Sequence, residues 1–346
     1  MCGPEIPYLR YGYSGPGPVT YGDLRGGHCQ VTPPRVGALP DLSAAMPARP
    51  HILVVNGRKV RQPVFVIGAP HSGTDLLARA LKQSAGLHVT IGQRVVVGVV
   101  HSFARSPSIQ RGRGEAAATV LRDAFAQAWQ VSPYACMACA PLCRAAGRVS
   151  GAGVCVAERD ITRYGDASPD LIYCADGLVD AFPDARIVQI IRDGRDVVAG
   201  MLADSGMLSA LRPGVTNVAN EFPNPFFGIE TQADLAAWPG LSLAAKCALR
   251  WRGSVRQMAR LRSSMTAEQL ATLRYEQVIR HPQAAAGAVS EFIGAPVSAI
   301  PVRGNGIGEP GHGTAAGGWR RLLTPLQISE VEKIAGTDLR RVGYGS

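Results

Sequence analysis

Apolar positions along the chain change period several times, and each change predicts an element. His51 to Val55 (HILVV), Asn56-Gly57 and Arg58 to Val60 read as two short strands joined by a two-residue turn, because Asn-Gly tolerates the positive φ angles such a turn needs. Val64 to Ile67 (VFVI) is a continuous apolar run followed by Gly68, as in a buried parallel strand ending in a tight turn. From Leu76 the period turns helical, with Leu76, Leu77, Ala80 and Leu81 on one face. Ala116 to Trp129 and Leu178 to Phe182 are further helical segments, Ile187 to Ile191 (IVQII) is a second buried strand, and Val197 to Leu202 returns to helix. Two strand-turn-helix units with apolar strands predict an α/β fold, a central parallel sheet flanked by helices on both faces.

Beyond these units, Leu243 to Leu261 reads as a long amphipathic helix carrying Arg250, Arg252, Arg256 and Arg260. Pro282 to Ile293 is helical, and Ser329 to Ile334 follows Thr324-Pro325, a helix start with proline at an early position. Gly304 to Gly318 holds seven glycines and reads as a loop. Residues 1–50 are rich in Pro and Gly without sustained periodicity and read as an N-terminal arm or lid, which leaves residues 51–346 as one catalytic domain.

Composition narrows the class. Hydrophobic residues make up 46% of the 346, enough to bury a large core, yet no window approaches the roughly 20 apolar residues of a membrane span. The first 30 residues lack a basic segment leading into an apolar run, so they do not read as a secretory signal, and a cytoplasmic location is expected. Net charge is +10, and only Lys59, Lys82, Lys246 and Lys333 are lysine, so the basic charge is almost all guanidinium. That suits an anionic ligand, although a GC-rich genome produces the same bias. Nucleic-acid binding is disfavoured because no aromatic residues interleave with the arginines and no recognised module is present. Cys136-x-x-Cys139-x-x-x-Cys143, with Cys155 further on, permits a tetrahedral zinc site. The plainer reading is small apolar residues in an Ala-rich helical stretch.

The strongest local signal is VFVIGAPHSGTDLL, residues 64–77. Its glycines are spaced G-x-x-x-x-G, as in nucleotide phosphate loops, but Thr74-Asp75 stands where an NTPase has Lys and Ser/Thr. Backbone N–H groups of residues 72–75 at a helix start would still converge on an anion. The segment Pro70-His71-Ser72-Gly73-Thr74-Asp75 resembles the P-[KR]-S-G-T-T phosphosulfate loop of sulfotransferases that use 3′-phosphoadenosine 5′-phosphosulfate (PAPS). Four further segments follow in family order: IVQIIRDGRDVV at 187–198, Arg274-Tyr275-Glu276, Glu291-Phe292-Ile293-Gly294, and Gly318-Trp319-Arg320-Arg321. The resemblance implies a P-loop-like sulfotransferase fold and transfer of a sulfuryl group from PAPS to a hydroxyl or amine of a small-molecule acceptor, such as a bacterial natural product, with adenosine 3′,5′-bisphosphate as product. It also implies that Pro70 to Asp75 surround the 5′-phosphate, with Ser72, Gly73 and Thr74 binding it. Arg192 would bind the 3′-phosphate, Tyr275 would lie near the adenine, and the Trp319-Arg320 loop would close over the nucleotide.

Several positions depart from the family pattern. His71 replaces the loop Lys or Arg, and is a catalytic candidate because histidine can donate to a sulfate oxygen. Asp75 replaces the last Thr and would repel phosphate unless Arg79, one turn on, pairs with it. Gln93 stands where many bacterial relatives place a basic Glu, Asp166-Ala167-Ser168-Pro169 replaces E-K-T-P, and Gly200 replaces a Ser eight residues after Arg192. Replacement bases are His101, His88, Asp166 and His312, with His101 favoured because it follows the segment where Gln93 and Arg94 would meet the acceptor. The departures also admit a second reading, a protein of this fold with altered chemistry toward another phosphorylated or nucleotide ligand.

Overall fold

Two apolar strands whose alternate side chains are both buried need a cover on each face, and the chain supplies it. The computed structural model describes residues 52–110, 114–212, 215–302 and 316–345; the N-terminal arm, the start of the hairpin, and most of the glycine-rich loop with His312 lie outside the described residues. From His51 onward the chain is one compact unit. Strands β1 (Val54–Val55) and β2 (Arg58–Lys59) pair antiparallel across Asn56 and Gly57, whose φ angles of 48° and 69° are those the turn requires.

The main sheet contains β3 (Val64–Gly68), β4 (Leu87–Thr90), β5 (Arg163–Asp166), β6 (Arg186–Ile191) and β7 (Leu270–Arg274), all parallel, in the order β4-β5-β3-β6-β7. Its helices are α1 (Thr74–Lys82), α2 (Arg94–Arg105), α3 (Gly114–Ala128), α4 (Ala175–Ala181), α5 (Gly194–Leu202), α6 (Leu243–Ser264), α7 (Pro282–Ile293) and α8 (Pro325–Arg341), with shorter turns between. The period of two in the strands divides the core. Phe65, Ile67, Ile187 and Ile191 face α2 to α6 and α8, whereas Val64, Val66, Val188 and Ile190 face α1 and α7. On the first face Phe65 packs 5.1 Å from Phe125 and 5.4 Å from Phe182, and Trp129 Nε1 donates to the Gly165 carbonyl at 2.8 Å.

Helix α6 is not the surface helix its arginines suggest. Most of its residues are buried, Arg250 and Arg252 among them, and each of those arginines has an acidic partner within the chain. Arg250 pairs with Asp170 at 2.5 Å, Arg252 with Asp234 at 2.7 Å, Arg256 with Glu230 and Asp338, and Arg260 with Glu230. Part of the arginine excess therefore closes ion pairs inside the fold instead of awaiting an anion. The helix also sits against a tight turn at Gly228 (φ +70°), where a Cβ would overlap the Leu249 carbonyl. Gly228→Ala is expected to cost about 3 kcal/mol and lower the thermal midpoint by roughly 5 °C, read by calorimetry.

Candidate active site

Burial of β3 up to Gly68 brings the loop Ala69 to Gly73 to the carboxyl edge of the sheet, directly before α1. The N-cap of α1 is Gly73, at φ 96°, with no side chain to satisfy the first-turn N–H groups. Leu76 N–H donates to the Gly73 carbonyl at 3.2 Å, which leaves those of Thr74 and Asp75 to an anion, and the helix dipole favours one there. A Cβ at Gly73 would overlap the Tyr275 ring, so glycine permits both the turn and the close approach of that aromatic. The Ser72 hydroxyl is turned back to donate to the Ala69 carbonyl at 2.6 Å, and the residue is 1% exposed. These residues fit a bound phosphate chiefly through backbone. Asp75 and Arg79 both line the cleft beyond, where Arg79 Nε is buried without a hydrogen-bond partner, and the two form no ion pair.

Arg192 follows β6 and is 1% exposed. Its Nη1 donates to the His71 carbonyl at 3.0 Å and its guanidinium lies 4.0 Å from the centre of the Tyr275 ring. The structure thus brings together the loop, Arg192 and Tyr275, which are far apart in sequence. Tyr275 lines the cleft and Arg192 lies directly behind it.

Asp196, the last residue of the Asp193-Gly194-Arg195-Asp196 run, is fully buried on α5 in a role the sequence did not assign it. It accepts from the backbone N–H groups of Gly317 at 2.7 Å and Trp319 at 2.8 Å, which anchors the segment leading into Trp319-Arg320. Burial pushes its carboxyl up, opposed by Arg192 and these two donors. Two guanidiniums lie over the Trp319 ring, Arg195 at 4.2 Å and Arg320 at 4.3 Å from its centre. Asp196→Asn keeps one acceptor and loses the other; a roughly tenfold weaker affinity for adenosine 3′,5′-bisphosphate with intact folding is expected by calorimetric titration.

Two departures from the sulfotransferase motifs prove to be neighbours. A Cβ on Gly200 would come within 3.0 Å of His71 Cβ and Cγ, so the glycine makes room for the imidazole. Asp204, four residues on, holds that ring: its Oδ2 lies 3.1 Å from His71 Nε2 while its Oδ1 caps the short helix Ser205–Ser209 by accepting from Met207 N–H. Burial lowers the His71 pKa, partly offset by Asp204 and reinforced by Arg192.

His71, Asp204, Met207 and Tyr275 line a cleft of about 690 Å³ that continues past Gly92, Ala140, Leu142 and Arg148 to Ser168, Pro169 and Asp170. Ser168 Oγ is buried there with no hydrogen-bond partner. Beneath it, fully buried Asp166 accepts from Thr90 Oγ1 at 2.5 Å and Ser168 N–H at 2.7 Å, and burial raises its pKa to about 7. A folded pKa above the unfolded 3.8 means the native state binds the proton more tightly, so this group costs stability above about pH 7 and the cost fades as pH falls toward 4. Asp166→Asn is expected to be more stable than the parent at pH 8, with the difference vanishing near pH 4, in chemical denaturation.

Asp170, at φ 65°, lines the cleft together with Asp75 and Asp204. Burial pushes it upward, but Arg250 and His101 outweigh that and hold it below the ordinary range. His101 reaches the cleft only through this residue: its Nδ1 is 3.9 Å from Asp170 Oδ2, and the ring packs edge-on at 5.6 Å to Phe226. Gln93 N-caps α2 and donates from Nε2 to Cys139 Sγ at 2.6 Å, so it is tied to the thiols, and Arg94 beside it is exposed. His88 is buried against Tyr164, with burial lowering its pKa to about 3. Cys136, Cys139, Cys143 and Cys155 do come together, but as a row, and among the described residues no three His, Cys, Asp or Glu side chains are grouped so as to hold a metal ion. No helix among the described residues is long and apolar enough to cross a membrane.

A parallel sheet in which one strand ends in a glycine loop at a helix N-terminus, with a second strand delivering a buried arginine behind that loop, defines a P-loop-like α/β protein. The chain belongs to the Sulfotransferase family, whose family model matches residues 63–299. Solved structures similar to it include the sulfotransferase domain from the curacin biosynthetic pathway, at 13% identity and TM-score 0.43 over 80% of this chain and 98% of that one. Another is the sulfotransferase domain of the Synechococcus PCC 7002 olefin synthase, at 16% identity and TM-score 0.41 over 79% and 94%. A third is the sulfotransferase from Alicyclobacillus acidocaldarius, at 18% identity and TM-score 0.38 over 80% and 96%. No curated protein matches the chain.

Proposed function

We propose that the protein transfers a sulfuryl group from PAPS to a hydroxyl or amine of a small-molecule acceptor bound in the cleft. The observation that carries the reading is the assembly of an uncapped α1 N-terminus, the Tyr275 ring against Gly73, and Arg192 directly behind both. When bound, PAPS supplies the sulfuryl group and a phosphate leaving group, and charge grows on the leaving oxygen as in phosphoryl transfer. The first-turn N–H groups of α1 hold that phosphate and stabilise the growing charge, and Arg192 answers the second phosphate. Anchored by Asp196, the 317–319 segment carries Trp319 and Arg320 to the nucleotide.

His71 and Asp204 serve the acceptor side. A neutral imidazole that donates from Nε2 to Asp204 keeps its other nitrogen free to receive a proton, and its lowered pKa keeps it neutral at pH 7. His101 acts behind Asp170 rather than on the acceptor. Titration with adenosine 3′,5′-bisphosphate tests the nucleotide reading, and no binding at millimolar ligand would overturn it. Tight binding without sulfuryl transfer to any acceptor in a hydroxyl and amine panel would favour the rival reading, a sulfotransferase fold with other chemistry. The specific support for that rival is the replacement of the loop Lys or Arg by His71.

A further inference from the structure

The row of thiols has no part in the site above. Cys136 and Cys155, nineteen positions apart, have their Sγ atoms 3.9 Å from each other. Cys139 contacts both Cys136 and Cys143. The row lies at the end of β4: Cys155 Sγ is 3.6 Å from His88 Nδ1, and Gln93, just beyond the strand, holds Cys139. Access differs within the row, since Cys136 and Cys143 are buried and Cys139 and Cys155 are partly open. Cys174 and Cys247 lie elsewhere in the core, both fully buried.

We propose that Cys136 and Cys155 are a site of reversible oxidation, joined as a disulfide when the protein meets a peroxide. Cys155 is the member of the pair that a peroxide reaches. Its sulfur takes one peroxide oxygen as sulfenic acid, the O–O bond breaks, and the second oxygen leaves as hydroxide. The thiol proton passes to that hydroxide and gives water. Cys136 Sγ then attacks Cys155 Sγ and the S–O bond breaks. The sulfenic oxygen leaves as a second water with the Cys136 proton. Both sulfurs are oxidised, both peroxide oxygens are reduced, and no other co-reactant is needed. The helix Pro141–Ala146 lies between the two cysteines in sequence and supplies Leu142, Ala145 and Ala146 to the cleft, so the bond would fasten one wall of the acceptor site.

The test uses the full chain and does not depend on nucleotide binding. After treatment with a few equivalents of hydrogen peroxide, free thiols are alkylated under denaturing conditions and the protein is digested with trypsin. Cleavage at Arg144 and Arg148 puts Cys155 in a different peptide from Cys136. The expected product is one linked peptide pair, lighter by two hydrogens than its parts and separated by dithiothreitol, with Cys174 and Cys247 still alkylated. Cys155→Ser should leave Cys136 alkylable, and Cys139→Ser should keep the link, so two independent variants read the pairing. Any of three results would overturn the proposal: a link confined to the peptide holding Cys136, Cys139 and Cys143, oxidation of Cys155 to sulfinic acid without a link, or stoichiometric zinc that shields all four thiols.

Discussion

Arg192→Ala should weaken binding of adenosine 3′,5′-bisphosphate by roughly 100- to 1,000-fold, the equivalent of about 3–4 kcal/mol for a charge-assisted double contact. The guanidinium is buried, touches the loop through the His71 carbonyl and supports the Tyr275 ring at 4.0 Å. Its removal therefore takes away a charge and lets the aromatic that packs on Gly73 shift. Arg192→Lys separates the two effects, because lysine restores the charge but neither the planar fork nor the stacking. Partial recovery by lysine would assign the loss to charge; none would assign it to placement. Undiminished affinity in the alanine variant, measured calorimetrically on folded protein, would remove Arg192 from the nucleotide site.

His71→Ala should lower kcat/KM by roughly 10²- to 10⁴-fold, the range of general-base catalysis, with little change in nucleotide affinity. The parent's pH profile gives the sign. A base is active when deprotonated, and burial lowers the His71 pKa below 6.5, so kcat/KM should rise with pH with the midpoint of its limb below that value. Asp204→Asn removes the carboxylate that raises the imidazole pKa, and should move the rising limb to lower pH while leaving the plateau near that of the parent. If the limb persists in His71→Ala, the proton goes elsewhere, and Asp170 is the next carboxylate in the cleft.

The fold was legible where local pattern and tertiary burial agree. VFVI is wholly apolar, and IVQII is apolar but for Gln189, which bonds Thr272 of the neighbouring strand, because both faces of β3 and β6 are covered; α7 begins at Pro282 and ends at Ile293 as its spacing predicts. Strands β4 and β5 gave no such signal. Buried His88, Thr90 and Asp166 interrupt them, and Gly165 is needed where a Cβ would press on the Val64 carbonyl. Helix α2 was obscured by its β-branched run Val95 to Val97, whose strand propensity packing overrides.

At the site, the loop, Arg192 and Tyr275 were legible because each sits in a contiguous motif. Asp204, Asp170 and Arg250 were not, and the role of Asp196 was not although it lies in the 187–198 motif, since each acts on a residue distant in sequence, or across a turn. Their only local hint was position, with Asp204 one turn after Gly200 and Asp170 just after the Asp-Ala-Ser-Pro segment. The charge on α6 misled for the same reason, because composition does not reveal that Asp170, Asp234, Glu230 and Asp338 converge on its arginines.

The shared space of His71, Gly200 and Asp204 has a bearing on protein engineering. Installing the family's basic loop residue by His71→Lys would lose the contact with Asp204, and installing serine at position 200 would crowd the imidazole. The three positions form one transplantable cassette. Moving them together into another sulfotransferase scaffold would carry over a histidine-carboxylate pair with its own clearance.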